Sequence, residues 1–226
     1  MSLKLLKIQL DKFNFNRALW YTYPKYFQNH FIIPKFVAKI ISLAQHKIVI
    51  TGGPSTGKTS IIKTLEEDGF FCFPEFIRSI TQEVKNNDAI DIVSNPIASV
   101  SDPYNFNIQL MNGRINQYKD SIADDKEIAF YDRGIPDVLA YMDLFKQPYD
   151  TPFIEACRDY VYDKVFLLPP WKEIYISDAE RYESFEEAQQ IHHHLLETYT
   201  KFGYNCIEVP FGNVKERSTF ILQHVI

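Results

Sequence analysis

The feature that most constrains the fold of this chain is a glycine-rich loop between a short hydrophobic run and a segment with helical periodicity. The loop, residues 52–59, reads GGPSTGKT. The β-branched run KIVIT, Lys47–Thr51, precedes the loop, and residues 58–68 follow it with apolar side chains at helical spacing. Gly69 then ends the segment as a helix C-cap would. The sequence therefore predicts a strand, a tight loop and a helix in direct succession.

The loop satisfies the pattern G-x-x-x-x-G-K-[ST], and each fixed position has a physical reason. Glycines at 52 and 57 let successive backbone N–H groups wrap a phosphate that a Cβ would obstruct. Lys58 then reaches the β- and γ-phosphates of a nucleotide, and Thr59 offers its hydroxyl to Mg²⁺. The alternative is a Gly-Pro turn that merely connects strand and helix. The residues expected to contact the nucleotide are Gly52, Gly53, Pro54, Ser55, Thr56, Gly57, Lys58, Thr59 and Ser60.

Further short apolar runs alternate with helical patterns, which is typical of a parallel sheet covered by helices on both faces. A long helix is predicted over Tyr104–Ile122, and a later one begins at Ser184, with Glu187 at capping-box spacing, and stops at Gly203. Residues 86–103 have no clear period and are predicted to be a loop. The predicted fold class is α/β, with three layers and a five-stranded, mainly parallel sheet. Beyond residues 47–51, the predicted strands are Phe70–Phe73, Ile128–Tyr131, Val165–Leu168 and Cys206–Val209.

The first 46 residues differ in composition from the rest and are predicted to form a separate, helical N-terminal extension to a domain over 47–226. Residues 1–47 carry eight basic side chains and one acid, a net charge of +7, so the rest of this −5 chain carries −12. A helix is predicted from Pro34 to about Gln45. Such a segment either contacts nucleic acid or a membrane surface, or packs against the acidic body. Its aromatic residues are Phe13, Phe15, Trp20, Tyr21, Tyr23, Tyr26, Phe27, Phe31 and Phe36.

The composition also bears on which class of protein this is and on its cellular compartment. No stretch approaches 18 consecutive apolar residues, so neither a transmembrane helix nor a secretory signal is visible. Cys72, Cys157 and Cys206 are widely spaced and form no C-x-x-C, which argues against a disulfide framework or a zinc knuckle and favours the cytoplasm. The acidic body would repel a phosphate backbone, so the nucleic-acid signal is weak. The sequence leaves open whether the protein forms a homo-oligomer.

Polar residues at two predicted strand ends indicate an enzyme that transfers a phosphoryl group rather than a motor protein that hydrolyses its nucleotide. The run IAFYDRG places Asp132 where it can hold Mg²⁺ through water and Arg133 where it can stabilise charge on a phosphoryl group. The alternative is an ordinary turn with a surface ion pair. Glu75 ends the second strand, with Arg78 following, and either accepts a proton from a substrate hydroxyl or interacts with a helix dipole. No N-K-x-D sequence is present, which disfavours a Ras-like GTPase.

A basic lid that shields the γ-phosphoryl group from water is predicted at about residues 169–183, between the fourth strand and the capped helix. Arg181 is its best candidate for a phosphate contact, ahead of Lys172. The alternative is that this arginine only pairs with Asp178 or Glu180 on a helical surface.

Two other segments invite a binding interpretation. Pro210, Phe211 and Gly212 follow the fifth strand, where they either border a nucleotide base or form a plain turn. The consecutive histidines at 192–194 suggest a metal site, but successive helical side chains point about 100° apart. A solvated helix face is therefore the prediction for these histidines.

These segments together resemble the AAA-type ATPase domain family related to the nicotinamide riboside kinase domain of NadR-like proteins. The matching pieces are KIVITGGPSTGKT, the P-E-x-x-R of residues 74–78, the YDRGIPD of residues 131–137, and the region from the lid through the fifth strand. They span residues 47 to about 222. The basic extension departs from the family pattern, because such domains usually begin just before the first strand.

The resemblance implies a nucleoside-kinase-like P-loop NTPase fold that binds ATP with Mg²⁺. It places Lys58 and Thr59 at the phosphates, Asp132 near the metal, and Arg181 in the lid. The acceptor is left open, because many members of the family have no assigned substrate.

The sequence as a whole predicts an ATP-dependent phosphotransferase that acts on a hydroxyl group of a small molecule such as a nucleoside. One alternative is a nucleotide-binding switch, in which ATP or GTP orders the lid and the basic extension contacts a partner or membrane. A nucleic-acid enzyme is a third, weaker alternative. The residues predicted to carry the reaction are Lys58, Glu75, Asp132, Arg133 and Arg181.

Overall fold

The computed structural model describes residues 45–76, 102–121, 126–175 and 184–225. Almost all of the predicted extension over 1–46 lies outside the described residues, as do most of the 86–103 loop, Arg78 and Arg181. The division of the chain into an extension and a domain therefore stays a prediction.

A five-stranded sheet forms the centre of the described part of the chain. Its strands are β1 (His46–Gly52), β2 (Phe71–Phe73), β3 (Ile128–Asp132), β4 (Lys164–Leu168) and β5 (Ile207–Glu208). The strand order is β2-β3-β1-β4-β5, and every neighbouring pair is parallel. In the central strand, Ile50 is in register with Asp132 on one side and Phe166 on the other. The glycine-rich loop therefore leaves the sheet at its carboxyl edge, where open α/β sheets bind ligands.

Helices cover both faces of this sheet, because strand side chains point alternately to one face and the other. Ile48 and Ile50 pack into one core with α1 and α6, whereas Val49 packs into the opposite core with α2 to α5. The predicted three-layer α/β fold is thus confirmed. Within the described residues the helices are α1 (Lys58–Glu67), α2 (Pro103–Ser121), α3 (Pro136–Leu144), α4 (Thr151–Asp159), α5 (Phe185–Lys201) and α6 (Val214–Val225).

Local sequence explains where several of these helices begin. The predicted capping box is confirmed at α5: Ser184 Oγ accepts the N–H of Glu187 at 3.1 Å, and the Glu187 carboxylate accepts the N–H of Ser184 at 2.6 Å. Asn213 and Glu216 make the same reciprocal pair at the start of α6. Pro136 occupies the first turn of α3, where its missing N–H removes no helical hydrogen bond.

The predicted strands agree with the structure to within one residue at each end, and so does the long helix α2. Three helices of the structure, α3, α4 and α6, are not among the elements predicted from the sequence. α3 reads PDVLAYMDL and is buried along most of its length, so it has no polar face from which a helical period could be recognised.

Candidate active site

The glycine-rich loop turns sharply between β1 and α1, with residues 58–60 forming the first turn of the helix. φ is +152° at Gly52, +57° at Ser55 and +86° at Gly57, so three positions of the loop have a positive φ. A Cβ at Gly52 would lie 2.6 Å from the carbonyl oxygen of Leu168 and would push the loop away from β4. Glycine is therefore required at both fixed glycine positions, at 52 by close approach to β4 and at 57 by its backbone angle.

Lys58 folds back over this loop. Its Nζ donates to the carbonyl oxygen of Gly53 at 2.6 Å, and the Thr56 hydroxyl donates to the same oxygen at 2.9 Å. Burial lowers the pKa of Lys58 to about 8, and the positive charge of Arg133 acts in the same direction, while nearby carboxylates oppose the shift. A phosphate beside this ammonium group would raise its pKa again and strengthen its charge.

Glu75 and Arg133 form a largely buried ion pair that joins the ends of β2 and β3. Arg133 Nε donates to Glu75 Oε1 at 2.6 Å, and its Nη1 donates to the carbonyl oxygen of Gly52 at 3.1 Å. Because Arg133 is only 8% exposed, the alternative of a surface ion pair is wrong. Burial alone would raise the pKa of Glu75. The positive charges of Arg133 and Lys58 together outweigh burial and lower this pKa to about 2. Glu75 is therefore ionised at neutral pH and can accept a hydrogen bond from a hydroxyl group.

Asp137, which is not among the site residues predicted from the sequence, is the centre of a buried polar cluster next to this pair. Its Oδ1 accepts the Thr51 hydroxyl at 2.5 Å, and its Oδ2 accepts the Tyr199 hydroxyl at 2.5 Å and the N–H of Gly134 at 2.9 Å. Arg133 Nη1 lies 3.4 Å from Oδ1. These donors stabilise a carboxylate that is fully buried. Its i, i+4 spacing from Arg133 is the sequence signal that could have found it.

Asp132, one of the two residues predicted to hold Mg²⁺, lies at the loop end of the sheet. It is buried, it ends β3, and it is in register with Ile50, two residues before the loop. Its negative charge raises the pKa of Lys58, so the two groups lie close enough to interact electrostatically. Thr59, the other predicted ligand, follows Lys58 in the first turn of α1. The structure thus brings Lys58, Glu75, Asp132 and Arg133 together at the carboxyl edge.

An aromatic pair lies at the same edge of the sheet, in the segments that follow β4 and β5. Trp171, three residues after β4, stacks on Phe211, three residues after β5, with ring centroids 5.2 Å apart and planes inclined by 26°. Phe211 is 56% exposed. In the predicted lid, Lys172 is exposed, and Arg181 lies outside the described residues. The segments that follow β4 and β5 therefore meet through these two rings.

Arg217 of α6 contacts the glycine-rich loop from another side. Its Nη1 donates to the carbonyl oxygen of Thr56 at 2.8 Å and lies 2.9 Å from where a Cβ on Gly57 would be. The side chain is 3% exposed. The sequence carries no signal for this contact, because the two partners are 161 positions apart.

Two of the three histidines at 192–194 lie beside separate acids. His192 Nε2 lies 3.7 Å from Glu208 Oε2, and His193 Nε2 lies 3.1 Å from Glu197 Oε1. His193 is exposed, as the predicted solvated face requires, whereas His192 is partly buried beside β5.

The sequence profile of the AAA domain family matches residues 47–217, from the first strand to Arg217. This chain belongs to the AAA domain family. The match covers the loop, the Glu75–Arg133 pair and the Asp137 cluster of this AAA domain in one stretch. No curated protein sequence matches the chain significantly. None of the helices that the structure describes is long and apolar enough to cross a membrane.

Several solved structures share the fold of this AAA domain. NadR protein in complex with NAD and AMP-PNP superposes with a TM-score of 0.59 at 18% identity over 80% of this chain and 48% of its own, so this chain spans about half of NadR. Deoxyadenosine kinase from M. mycoides with bound dATP gives 0.54 at 15% identity over 80% and 99%. Thymidylate kinase from Candida albicans gives 0.54 at 15% identity over 80% and 91%. The fold is therefore a P-loop fold of the nucleoside- and nucleotide-kinase type.

Proposed function

We propose that this chain is a Mg²⁺-dependent ATP phosphotransferase that acts on a hydroxyl group of a small, nucleoside-type acceptor. The observation that carries the proposal is the largely buried Glu75–Arg133 pair, which is held at the loop by the bond from Arg133 to Gly52. A fixed, ionised carboxylate beside a phosphate-binding loop suits the alignment of an acceptor hydroxyl. The shared fold of NadR, deoxyadenosine kinase and thymidylate kinase supports this class of acceptor.

At the donor end, the loop backbone over residues 52–57 and the N-terminus of α1 would hold the phosphates of ATP. Backbone N–H groups and the positive end of a helix attract an anion without a mobile side chain. Lys58 would add the charge that stabilises the β- and γ-phosphates as negative charge redistributes. The stacked Trp171 and Phe211 would border the base, and Arg181 would complete the lid.

At the acceptor end, Glu75 would orient the hydroxyl for in-line attack on the γ-phosphorus. The new bond joins the acceptor oxygen to that phosphorus, and the bond to the oxygen bridging the β- and γ-phosphorus atoms breaks to release ADP. The acceptor proton passes to Glu75 or Asp132. Because the pKa of Glu75 is about 2, we expect the proton to move late, when the acceptor oxygen has already bonded to phosphorus. Arg133 would add positive charge and keep Glu75 in place.

The residues at the loop fit a Mg²⁺ ion carried by the nucleotide. The Thr59 hydroxyl and the Asp132 carboxylate are the oxygen ligands that Mg²⁺ prefers. Within the described ranges, no group of three His, Cys, Asp or Glu side chains could hold a metal without other ligands. Phosphate oxygens and water would therefore supply the rest. When bound, the ion neutralises phosphate charge.

The test is the rate of γ-phosphoryl transfer by Glu75→Gln, with nucleosides and nicotinamide riboside as acceptors. We expect kcat to fall by about two orders of magnitude while ATP affinity stays within about threefold of the parent value. Glu66→Gln, an exposed substitution on α1, is the matched control. An unchanged kcat for Glu75→Gln would exclude its role, and ATP binding without transfer to any acceptor would favour the nucleotide switch.

A further inference from the structure

We propose that Arg217 is a further nucleotide-binding residue, a fixed positive charge at the loop whose counter-charge is the polyphosphate of a bound nucleotide. This inference rests on the proposed function, because it assumes that the loop binds a nucleotide. It assigns a role to a helix, α6, that the proposed reaction does not otherwise use.

The first observation is that Arg217 is buried and that none of the described residues supplies an acidic side chain to pair with it. The side chain is 3% exposed, and its Nη1 donates to the carbonyl oxygen of Thr56. Within the part of the chain that the structure describes, its Nε and Nη2 have no hydrogen-bond partner. Burial lowers the pKa of Arg217, and no carboxylate of the described residues offsets that effect. The guanidinium is therefore a buried cation that lacks a counter-ion among the described residues.

The second observation is the contrast with the other arginine at the loop. Arg133 has Glu75 at 2.6 Å and Asp137 at 3.4 Å, so its charge is balanced inside the protein. A buried charge without a partner is strongly unfavourable, and a hydrophobic residue of similar length would usually serve the packing better. A ligand of opposite charge at the loop would account for a positive charge at this position.

The position of Arg217 fits that ligand. Its Nη1 is bonded to Thr56 and lies 2.9 Å from the Cβ position of Gly57, next to the start of α1. A loop that turns its N–H groups towards a phosphate turns carbonyls such as that of Thr56 away from it, so Arg217 supports the loop from behind. Its charge would attract each phosphate of a nucleotide held on the other side of the loop backbone. The attraction should grow with the number of phosphates.

The test compares Arg217→Met with Lys215→Met, which removes the same charge from an exposed position on α6. The dissociation constants of ATP, ADP and AMP are measured by calorimetry, and the melting temperature is measured without nucleotide. We expect Arg217→Met to weaken ATP binding by at least about tenfold and AMP binding much less. Its melting temperature without nucleotide should be equal to or above that of the parent, because an unpaired buried charge is gone. Arg217→Lys should retain most of the ATP affinity, and Lys215→Met should match the parent.

A purely structural role for Arg217 gives a different pattern. In that case Arg217→Met melts lower or fails to fold, or it weakens all three nucleotides equally, and any of these results overturns the inference. Equal ATP affinity in Arg217→Met and the parent also overturns it. A parent protein that binds ATP but transfers no phosphate would contradict the proposed function alone, whereas a parent that binds no nucleotide would contradict both.

Discussion

Lys58 has a pKa close to physiological pH, because burial lowers it to about 8. Only the protonated form attracts phosphate, so we expect ATP to bind most tightly below pH 8 and more weakly as the pH rises through that value. Calorimetric titration on both sides of pH 8 measures this dependence. Lys58→Met, which has no titrating group at this position, should bind weakly at every pH. An ATP affinity in the parent that does not change across pH 8 would contradict the role of this lysine.

Tyr199 donates one of the short hydrogen bonds that stabilise the buried Asp137 carboxylate. Tyr199→Phe leaves the ring in place and removes that bond to a charged group, so we expect the free energy of unfolding to fall by about 1.5–3 kcal/mol. Urea denaturation at neutral pH measures the change. Tyr160→Phe, at a partly buried ring, is the control and should have little effect. Equal stability of the two variants would show that the Asp137 cluster contributes little.

How far single residues could be predicted depended on their distance along the chain from a recognisable motif. Lys58, Glu75 and Arg133 stand in or beside short patterns, and the structure brings them together. Arg217 and Tyr199 could not be found in this way. The hydrogen bonds of these two span 161 and 62 positions, and only the folded chain brings their partners together.

Among the helices, α2 carries a glycine that allows it to approach the segment after β2. A Cβ at Gly113 would lie 2.0 Å from the ring of Phe76, the residue that follows Glu75. Gly113→Ala would normally favour a helix by about 1 kcal/mol, but here the ring must move. We therefore expect lower stability and a larger loss of phosphoryl transfer, because displacement of Phe76 disturbs Glu75. Thermal melts and transfer rates measure the two effects.

Asn112→Ala is the control for Gly113→Ala, since it makes a similar change at an exposed position one residue earlier on α2. It should leave both the stability and the transfer rate nearly unchanged. A Gly113→Ala protein more stable than the parent would contradict the close approach of α2 to Phe76.

The strands could be predicted from sequence because they are short β-branched or aromatic runs flanked by turn residues. β1 and β4 are buried over most of their length, as central parallel strands are. The pattern was weaker for α3, whose apolar residues surround the helix. Asp137 and its hydrogen bonds place α3 beside the site, and a helical period in the sequence does not reveal these contacts.

For the molecule as a whole, the loop, the ion pair and the Asp137 cluster all lie within residues 45–225, in the part of the chain that the structure describes. We therefore expect a variant that begins at Gln45 to retain ATP affinity within about threefold of the full chain. Calorimetry on both proteins measures it, and co-sedimentation with anionic vesicles shows whether the basic extension binds lipid. A loss of ATP affinity on deletion would mean that the extension contributes to the site.

The measurement that tests the central claim most directly follows the γ-phosphate itself. The protein is incubated with Mg²⁺, ATP labelled with ¹⁸O in the γ-phosphate, and a pool of nucleosides and nicotinamide riboside. The masses of the products are then measured by mass spectrometry. The account predicts that one acceptor gains a labelled phosphoryl group and that Lys58→Ala abolishes this gain while remaining folded. Label found only in inorganic phosphate, or only in unreacted ATP that binds tightly, would contradict it.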